Sequence, residues 1–353
     1  MVASYGIIGL PNVGKSTLFN ILTNSNVKSA NFPFSTVKPN VARVLIIDQR
    51  LNRLAKIVNP RLIVPTEIEL IDIAGLIKGF SQGEGLGNKS LNYISNADAI
   101  IHVIRFFNDD SIIHINNEIN PIKDIKIIND ELILTDIIKC ESIVNFLTLY
   151  LQSHKKKENE KYNYLRLSVI HKCLDYLDKN LMLRQLKITE EERNIIDNYR
   201  FFTLKPNLYL INFKEKQDLK KHYLKKIKKI AEIDGSILHK FCITSIQDGH
   251  NDKIKTINQL INVIYKLLNL QTFFTVNKKE VRSWTIPACN TVLQAARKIH
   301  SDFAQKFICA QIIKFNDFLN YEGEQKSKKA GKVFFGGKNY QVKDGDVIKI
   351  IHR

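Results

Sequence analysis

The sequence predicts an α/β protein whose larger part is a doubly wound parallel sheet, followed by a small strand-rich domain at the C-terminal end. Three observations support this prediction. Short apolar runs alternate with amphipathic helical segments over two thirds of the chain, a glycine-rich turn joins the first run to the first helix, and the pattern changes after Leu270. Alternating strands and helices are typical of a parallel sheet that helices cover on both faces.

Length and composition support a globular, multidomain chain. The 353 residues suffice for two or three domains, and 44% hydrophobic with 25% charged residues argues against extensive disorder. No apolar run approaches the roughly eighteen residues that a membrane span needs, and no basic residues precede the first apolar stretch as in a secretory signal. We therefore expect a cytoplasmic protein without a membrane partner.

Each strand of the predicted sheet is a short apolar run bounded by turn residues or by a helical segment. The first covers residues 4–9, and residues 15–24 then show the apolar spacing of a helix. The further strand candidates are residues 41–47, 67–71, 99–107, 207–211 and 237–243.

A long stretch without a strand signal separates the fourth and fifth strands. Residues 130–151 carry apolar side chains on one helical stripe, and after the polar run HKKKENEK a second helical pattern continues to Leu177. We interpret this stretch as an antiparallel helical hairpin inserted into the sheet domain. Two ordinary helices that cover the sheet are the alternative.

The last part of the chain has a different pattern. One helix, beginning near Thr291, stands among five strand candidates, which are residues 273–275, 281–285, 308–315, 333–335 and 347–351. We therefore predict a sheet domain made of residues 1–127 and 202–270, a helical insertion at 128–201, and a separate C-terminal domain at 271–353.

The positive charge is concentrated in two segments. The chain has 53 basic and 35 acidic residues, a net charge of +18; residues 276–353 contribute +8 and residues 214–230 contribute +6. Such concentration favours a phosphate backbone as partner, and we expect no DNA sequence specificity. The five cysteines form no C-x-x-C pair and are spread along the chain, so we expect reduced, mostly buried thiols without zinc or disulfides.

The strongest motif is GLPNVGKS at residues 9–16, which fits G-x-x-x-x-G-K-[ST] in full. In such a loop the backbone amides surround phosphate oxygens, the lysine brings a positive charge to the terminal phosphates, and the hydroxyl ligates Mg²⁺. We assign a catalytic role to Lys15, and we assign nucleotide contacts to Asn12, Val13, Gly14, Lys15, Ser16 and Thr17.

A second motif, IELIDIAGL, provides the expected partner of the phosphate loop. It places Asp72 at the end of an apolar strand and Gly75 three residues further on. A carboxylate there can hold Mg²⁺, and the amide of Gly75 can meet the terminal phosphate. Thr36, in NFPFSTVKPN, is placed to give a second hydroxyl to the metal. The predicted Mg²⁺ site is therefore Ser16, Thr36 and Asp72.

The base-recognition motif departs from that of guanine-specific proteins. Such proteins carry N-K-x-D after the fifth strand, whereas residues 212–215 read NFKE, without that lysine and aspartate; NKKE at 277–280 lies beyond the sheet domain. Asn212 offers a donor and an acceptor on one amide and could serve adenine. We expect ATP as the ligand, with GTP specificity as the alternative.

Together these residues resemble one family, the YchF or Obg-like ATPases, which are translation-factor-related P-loop NTPases. The resemblance rests on GLPNVGKST, NFPFSTVKPN, DIAGLIKG, GEGLGN and NFKE, and on LNLQTFFT, EVRSWTIP, AARKIHSDF, YEGEQ and VKDGDV in the C-terminal part. It implies a P-loop NTPase sheet with a helical coiled-coil insertion and a small C-terminal β-grasp (TGS) domain. It also implies a preference for ATP and association with the ribosome.

Candidates for the hydrolytic residues come from the comparison with related NTPases. Hydrolysis needs an oriented water and neutralised charge on the phosphoryl group, yet Leu76 stands where many related GTPases have a water-positioning glutamine. The resemblance implies instead a histidine after the fourth strand, which His114 matches; a structural histidine is the alternative. Asn12 resembles the asparagine that helps to hold K⁺ in some related NTPases, so K⁺ is a second candidate ion beside Mg²⁺.

Two functions of different classes fit these observations. One is a Mg²⁺-dependent ATPase, acting as a nucleotide-controlled switch, whose insertion and C-terminal domain dock on the ribosome. The other is a protein that binds RNA or the ribosome and whose nucleotide binding is uncoupled from it. The predicted Mg²⁺ ligands Ser16, Thr36 and Asp72 favour the ATPase switch. We also predict a flexible basic loop that contacts ribosomal RNA, with a merely solvated loop as the alternative; its lysines are Lys326, Lys328, Lys329 and Lys332.

Overall fold

The structure is a computed structural model that describes residues 2–24, 40–73, 93–108, 119–153, 160–242 and 250–353, with side chains in the last range from residue 255. The chain divides into two compact units. One comprises residues 4–42 and 69–260, and the other comprises residues 1–3, 43–68 and 261–353. The domain boundaries given above stay a prediction; in this division residues 43–68 belong with the C-terminal part of the chain.

The described strands belong to two sheets. They are β1 (Ala3–Ile8), β2 (Asn40–Leu45), β3 (Leu62–Val64), β4 (Glu67–Asp72), β5 (Ala99–Arg105), β6 (Asn207–Phe213), β7 (Ile237–Cys242), β8 (Leu270–Val276), β9 (Glu280–Pro287), β10 (Phe307–Lys314), β11 (Val333–Gly336) and β12 (Asp346–His352). The α-helices are α1 (Lys15–Asn24), α2 (Gln49–Val58), α3 (Pro121–Ser153), α4 (Glu160–Leu177), α5 (Glu190–Asp197), α6 (Lys221–Asp234), α7 (His250–Leu267), α8 (Val292–Ile299), α9 (Ser301–Gln305), α10 (Phe315–Asn320) and α11 (Glu324–Lys329).

The first sheet has the order β2-β4-β1-β5-β6-β7. Strand β5 pairs in parallel with β1 and with β6, and β6 pairs in parallel with β7. The central strands β5 and β6 are buried almost throughout, as expected for parallel strands covered on both faces. Apolar residues of α3 and α6, such as Ile125 and Ile227, pack on Ile104 and Ile211 of the sheet. The predicted doubly wound α/β fold is confirmed.

The helical insertion is also confirmed, and its first helix is longer than predicted. Helix α3 is 33 residues long and begins at the sheet, where its Ile125 is buried. Its later turns pack with α4 and α5 around a separate apolar cluster that contains Cys140 and Cys173. These two thiols are buried, Cys242 and Cys309 are half-buried, and Cys289 is exposed.

One buried carboxylate fixes the segment that follows the insertion. Asp136 of α3 accepts hydrogen bonds from the backbone amides of Phe202 (3.0 Å) and Thr203 (2.7 Å) and from the Thr203 hydroxyl (2.7 Å). Burial raises the pKa of Asp136 to about 6, although the three hydrogen bonds act in the opposite direction. The charge of Lys139, which donates to the Tyr199 carbonyl, also favours the carboxylate form.

The second sheet has the order β11-β10-β12-β8-β9-β3. Strands β8 and β9 form an antiparallel pair, β12 lies parallel to β8, and β10 pairs antiparallel with β12 and β11. Helix α8 covers one face of the sheet, and α2 and α10 cover the other. The arrangement of β8–β12 with α8 is that of a β-grasp domain, as predicted.

Three features of this unit differ from the sequence prediction. Strand β3 was not predicted, because its three residues pair with β9, more than 200 positions away, and carry no periodic signal. The predicted single helix is two helices, since His300 adopts an extended backbone and its Nδ1 accepts from the Asp302 amide. The structure also has α10 and α11 where no helix was predicted.

The predicted flexible basic loop is wrong for three of its four lysines. Lys326, Lys328 and Lys329 belong to α11, whose Ser327 is buried and donates to the Gly323 carbonyl. Gly323 and Gly331 stand on either side of the helix with positive φ angles, so the glycines end the helix and do not interrupt it. Within the described ranges, no helix has the length and apolar character needed to cross a membrane.

Candidate functional site

The loop between β1 and α1 has a backbone that requires its glycines. Gly9 has φ 148°, and a Cβ at this position would lie 2.6 Å from the Val103 carbonyl oxygen. Gly14 and Asn12 also have positive φ, and asparagine is among the few other residues that adopt this region readily. The motif glycines are therefore needed for the turn itself, which returns the chain to the start of α1.

Lys15 lies across this loop. Its buried ammonium donates to the carbonyls of Gly9 (3.0 Å) and Leu10 (2.7 Å). An ammonium has three donors, and no third partner occurs among the described residues, so one donor is available to an anion. Burial lowers the pKa of Lys15 to about 8, while the charge of Asp72 partly opposes this shift.

The pKa of Lys15 leads to a testable prediction on proton uptake. At pH 8 about half of the Lys15 side chains are neutral in the nucleotide-free protein, and a bound triphosphate favours the charged form. We expect binding of the Mg²⁺–nucleotide complex to take up about half a proton at pH 8 and almost none at pH 6.5. Calorimetry in two buffers of different ionisation enthalpy measures this difference, and equal proton uptake at both pH values would contradict it.

The hydroxyl of Ser16 and the carboxylate of Asp72 meet beside Lys15. Ser16 Oγ donates to Asp72 Oδ2 at 3.0 Å, and Asp72 Oδ1 is buried with no hydrogen-bond partner in the described part of the chain. Hydroxyl and carboxylate oxygens are ligands that Mg²⁺ prefers, and a buried oxygen without a partner calls for a cation or donor. The residues present therefore fit a Mg²⁺ ion.

Asn212 joins the predicted base-recognition segment to the phosphate loop. It is buried at the end of β6, and its Nδ2 donates to the Val13 carbonyl at 2.8 Å. Its Oδ1 is buried without a hydrogen-bond partner within the described ranges. One amide hydrogen is thus committed to the loop, and the acceptor oxygen remains for a ligand.

Sequence reasoning missed the residues that order the NFKE segment. Asp218 accepts hydrogen bonds from the backbone amides of Lys214 (3.0 Å) and Glu215 (2.8 Å). Two cations approach the ring of Phe107, with Arg105 Cζ at 4.6 Å and Lys214 Nζ at 5.0 Å from its centroid. An aspartate three residues after the segment is a turn signal, but the contact of Lys214 with Phe107 joins positions more than 100 residues apart and leaves no sequence pattern.

The structure thus brings together Gly9, Val13, Lys15, Ser16, Asp72 and Asn212 around one loop. Asn12 and Thr17 are exposed on the loop and on the first turn of α1. Thr36, Gly75 and His114 lie outside the described residues, so their roles stay predictions.

A parallel sheet whose first strand leads into a loop of this kind defines a P-loop nucleotide-binding protein. Residues 4–138 match a family model described as a 50S ribosome-binding GTPase, and residues 270–352 match the C-terminal family model of YchF proteins, described as a protein of unknown function. The chain belongs to the YchF family.

Full-length relatives support this assignment. The chain is 47% identical to the ribosome-binding ATPase YchF of Buchnera aphidicola from Acyrthosiphon pisum and 45% identical to that of Escherichia coli O157:H7, with 98% of each chain covered. The YchF GTPase structure from Schizosaccharomyces pombe superposes with a TM-score of 0.82 at 34% identity, covering 99% of this chain and 97% of that one. A GTP-binding protein from Pyrococcus horikoshii, with a TM-score of 0.60 and 17% identity, shares the fold over 99% of this chain and 100% of that one.

Proposed function

We propose that this protein is a Mg²⁺-dependent ATPase that acts as a nucleotide-controlled switch, binds the ribosome in the cytoplasm, and prefers ATP to GTP. The observation that carries the proposal is the Ser16–Asp72 pair beside Lys15, in which Asp72 Oδ1 has no hydrogen-bond partner in the described chain. This arrangement has the hard oxygen ligands and the positive charge that a Mg²⁺–triphosphate complex needs.

Each residue has a separate task in this proposal. The free donor of Lys15 meets the terminal phosphates, and Ser16 and Asp72 hold the metal together with Thr36. Bound Mg²⁺ supplies neutralisation of phosphate charge. The Gly75 amide senses the terminal phosphate, His114 orients the attacking water, and Asn12 is the candidate contact for K⁺. Since no arginine finger is identifiable in the sequence, intrinsic turnover is expected to be slow.

The preference for ATP rests on the residues around Asn212. The NFKE segment lacks the aspartate that accepts hydrogen bonds from guanine, and Asn212 Oδ1 can accept one from the exocyclic amine of adenine. The hydrogen bond to the Val13 carbonyl fixes the orientation of this amide. On the base edge that carries N7, adenine presents an amine donor and guanine presents only acceptors, so an acceptor that faces this edge discriminates between the two bases.

The ribosome is proposed as partner from two independent observations. Relatives at 45% and 47% identity over nearly the whole chain are named ribosome-binding ATPases. The net charge of +8 on residues 276–353 is complementary to ribosomal RNA. Since the names of the similar proteins give both ATP and GTP, the nucleotide has to be measured directly.

A side-by-side calorimetric titration with Mg²⁺ tests the nucleotide. We expect ATP to bind more tightly than GTP, and a tighter complex with GTP would favour the alternative of a GTP-specific translation factor. Co-sedimentation with ribosomes, with and without ATP, tests the switch. Binding that is equal in both conditions would favour an RNA- or ribosome-binding protein whose nucleotide binding is uncoupled.

A further inference from the structure

A basic and aromatic surface on edge strand β11 lies outside the nucleotide site. Residues 324–340 contain five lysines and one glutamate, and β11 is the last strand on its side of the second sheet. Phe335 in this strand is 61% exposed. We propose that this surface binds unpaired, single-stranded RNA, with a base stacked on Phe335 and phosphates held by lysines. We define it as the β11 surface, consisting of Phe335, Lys328, Lys329, Lys332 and Lys338.

The strand holds Phe335 outward. Phe335 is paired with Gln311 in the ladder between β11 and β10. The next residue, Gly336, lies so close to the sheet that a Cβ there would be 2.8 Å from Ile312 Cδ1. Since the backbone directly after Phe335 is fixed, only the two side-chain torsions of the exposed ring have to be ordered when it binds a ligand.

The ring of the neighbouring Phe334 contacts an aromatic ring and a cation, and the described residues offer Phe335 no such contact. Phe334 points to the opposite face, where its ring centroid lies 5.5 Å from that of Tyr340 and 5.3 Å from Lys314 Nζ. Phe335 has no ring or cation partner in the part of the chain that the structure describes. Its ring is therefore available to a planar ligand.

The lysines flank Phe335 along the chain, and helix α11 begins over the face of the sheet to which Phe335 belongs. Gln311, the ladder partner of Phe335, donates to Glu324 at 2.8 Å, so α11 begins over that face. Helix α11 carries Lys328 and Lys329, while Lys332 directly precedes β11 and Lys338 follows it.

Lys329, Lys332 and Lys338 are exposed and have no ion-pair partner among the described residues; Lys328 is also exposed, but its charge acts on Glu324, and Lys326 pairs with Glu322. Exposed ammonium groups on both sides of Phe335 in the chain, together with its open ring, make an anion-binding surface that also has an apolar contact. Phosphate groups are the anions that RNA presents at regular intervals along its backbone.

Single-stranded RNA fits this combination better than the other candidate partners. A second copy of the chain could pair along the free edge of β11, but the lysines at both ends would then face like charges. An acidic peptide would satisfy the lysines and leave the ring in water. Duplex RNA keeps its base faces stacked inside the helix, whereas an unpaired strand offers both phosphates and a free base.

Fluorescence anisotropy of the full chain with a labelled oligouridine of about twelve nucleotides tests the stacking contact. We expect Phe335→Ala to weaken binding by about 5- to 150-fold, and Phe335→Trp to preserve it. Leu62→Ala is the matched control, because Leu62 is 62% exposed on β3 at the opposite edge of the same sheet. Unchanged affinity of Phe335→Ala, or equal binding of a duplex of the same length, would overturn the proposal.

The salt dependence of the same titration tests the lysines. The double variant Lys329→Gln with Lys332→Gln is expected to reduce the slope of log affinity against log salt by about 1.4, from about 0.7 per phosphate contact. Lys278→Gln with Lys279→Gln, in the exposed turn between β8 and β9, is expected to leave the slope unchanged. Equal slopes for both double variants would argue against phosphate contacts at the β11 surface.

This inference deepens the proposed ribosome binding and rests on it, so ribosome co-sedimentation of the same variants separates the two. A wild-type chain that sediments with ribosomes but does not bind oligouridine would refute the β11 surface and leave the proposed function intact. A chain whose oligouridine binding depends on Phe335 but that does not sediment with ribosomes would support the surface and refute the proposed function.

Discussion

Replacing Lys15 by alanine is expected to lower the rate of ATP hydrolysis by at least about 100-fold, the effect of removing one preorganised charge donor from a phosphoryl-transfer site. Lys15 is held by two loop carbonyls at 3.0 and 2.7 Å, so its remaining donor is directed without further ordering. Alanine removes both the charge and this fixed donor. Steady-state phosphate release, measured with saturating Mg²⁺ and ATP, gives the rate.

A control variant distinguishes the loss of Lys15 itself from the loss of one positive charge elsewhere in the protein. Lys225→Ala removes an exposed lysine of α6, and the turnover of this variant should equal that of the wild type. Thermal melting checks that Lys15→Ala remains folded. Wild-type hydrolysis by folded Lys15→Ala would refute the assignment of this loop as the hydrolytic site.

Replacing Asp136 by alanine is expected to have the largest effect on stability. The change leaves two backbone amides and the Thr203 hydroxyl without their acceptor in a buried region, which costs about 2–5 kcal/mol in the free energy of unfolding. The exposed Asp130 on the same helix is a matched control, and Asp130→Ala should change this free energy by less than about 0.5 kcal/mol. Denaturant unfolding at fixed pH measures both values.

The pH dependence gives a second measure of the Asp136 contact. Its pKa is about 6 in the folded protein and lies near 3.8 without burial, so between these values the folded state binds more protons than the unfolded state. The stability that this group contributes is present below pH 3.8 and is lost as the pH rises through 6. We therefore expect the destabilisation of Asp136→Ala to be larger at pH 5 than at pH 7.5, and the opposite trend would contradict the assigned pKa.

The role of Lys15 could be predicted from the sequence, whereas the contacts of Asp136 could not, and the fold explains this difference. Lys15 belongs to eight consecutive residues whose backbone angles, Gly9 at φ 148° among them, are required by the loop itself. Such a motif can be read directly because its residues are neighbours in the chain. Asp136 is one polar residue in a long helix, and nothing near it in sequence indicates that residues 202 and 203, 66 and 67 positions away, donate to it.

By itself, the sequence determined the local features of this protein: the phosphate loop, the strand ending at Asp72, the helical insertion and the strand-rich C-terminal unit. The tertiary structure decided the contact of Asn212 with Val13 across 199 residues and the pairing of β3 with β9. The reason is physical. Backbone turns and amphipathic periods are satisfied by adjacent residues, whereas long-range contacts form only where the fold brings distant surfaces together.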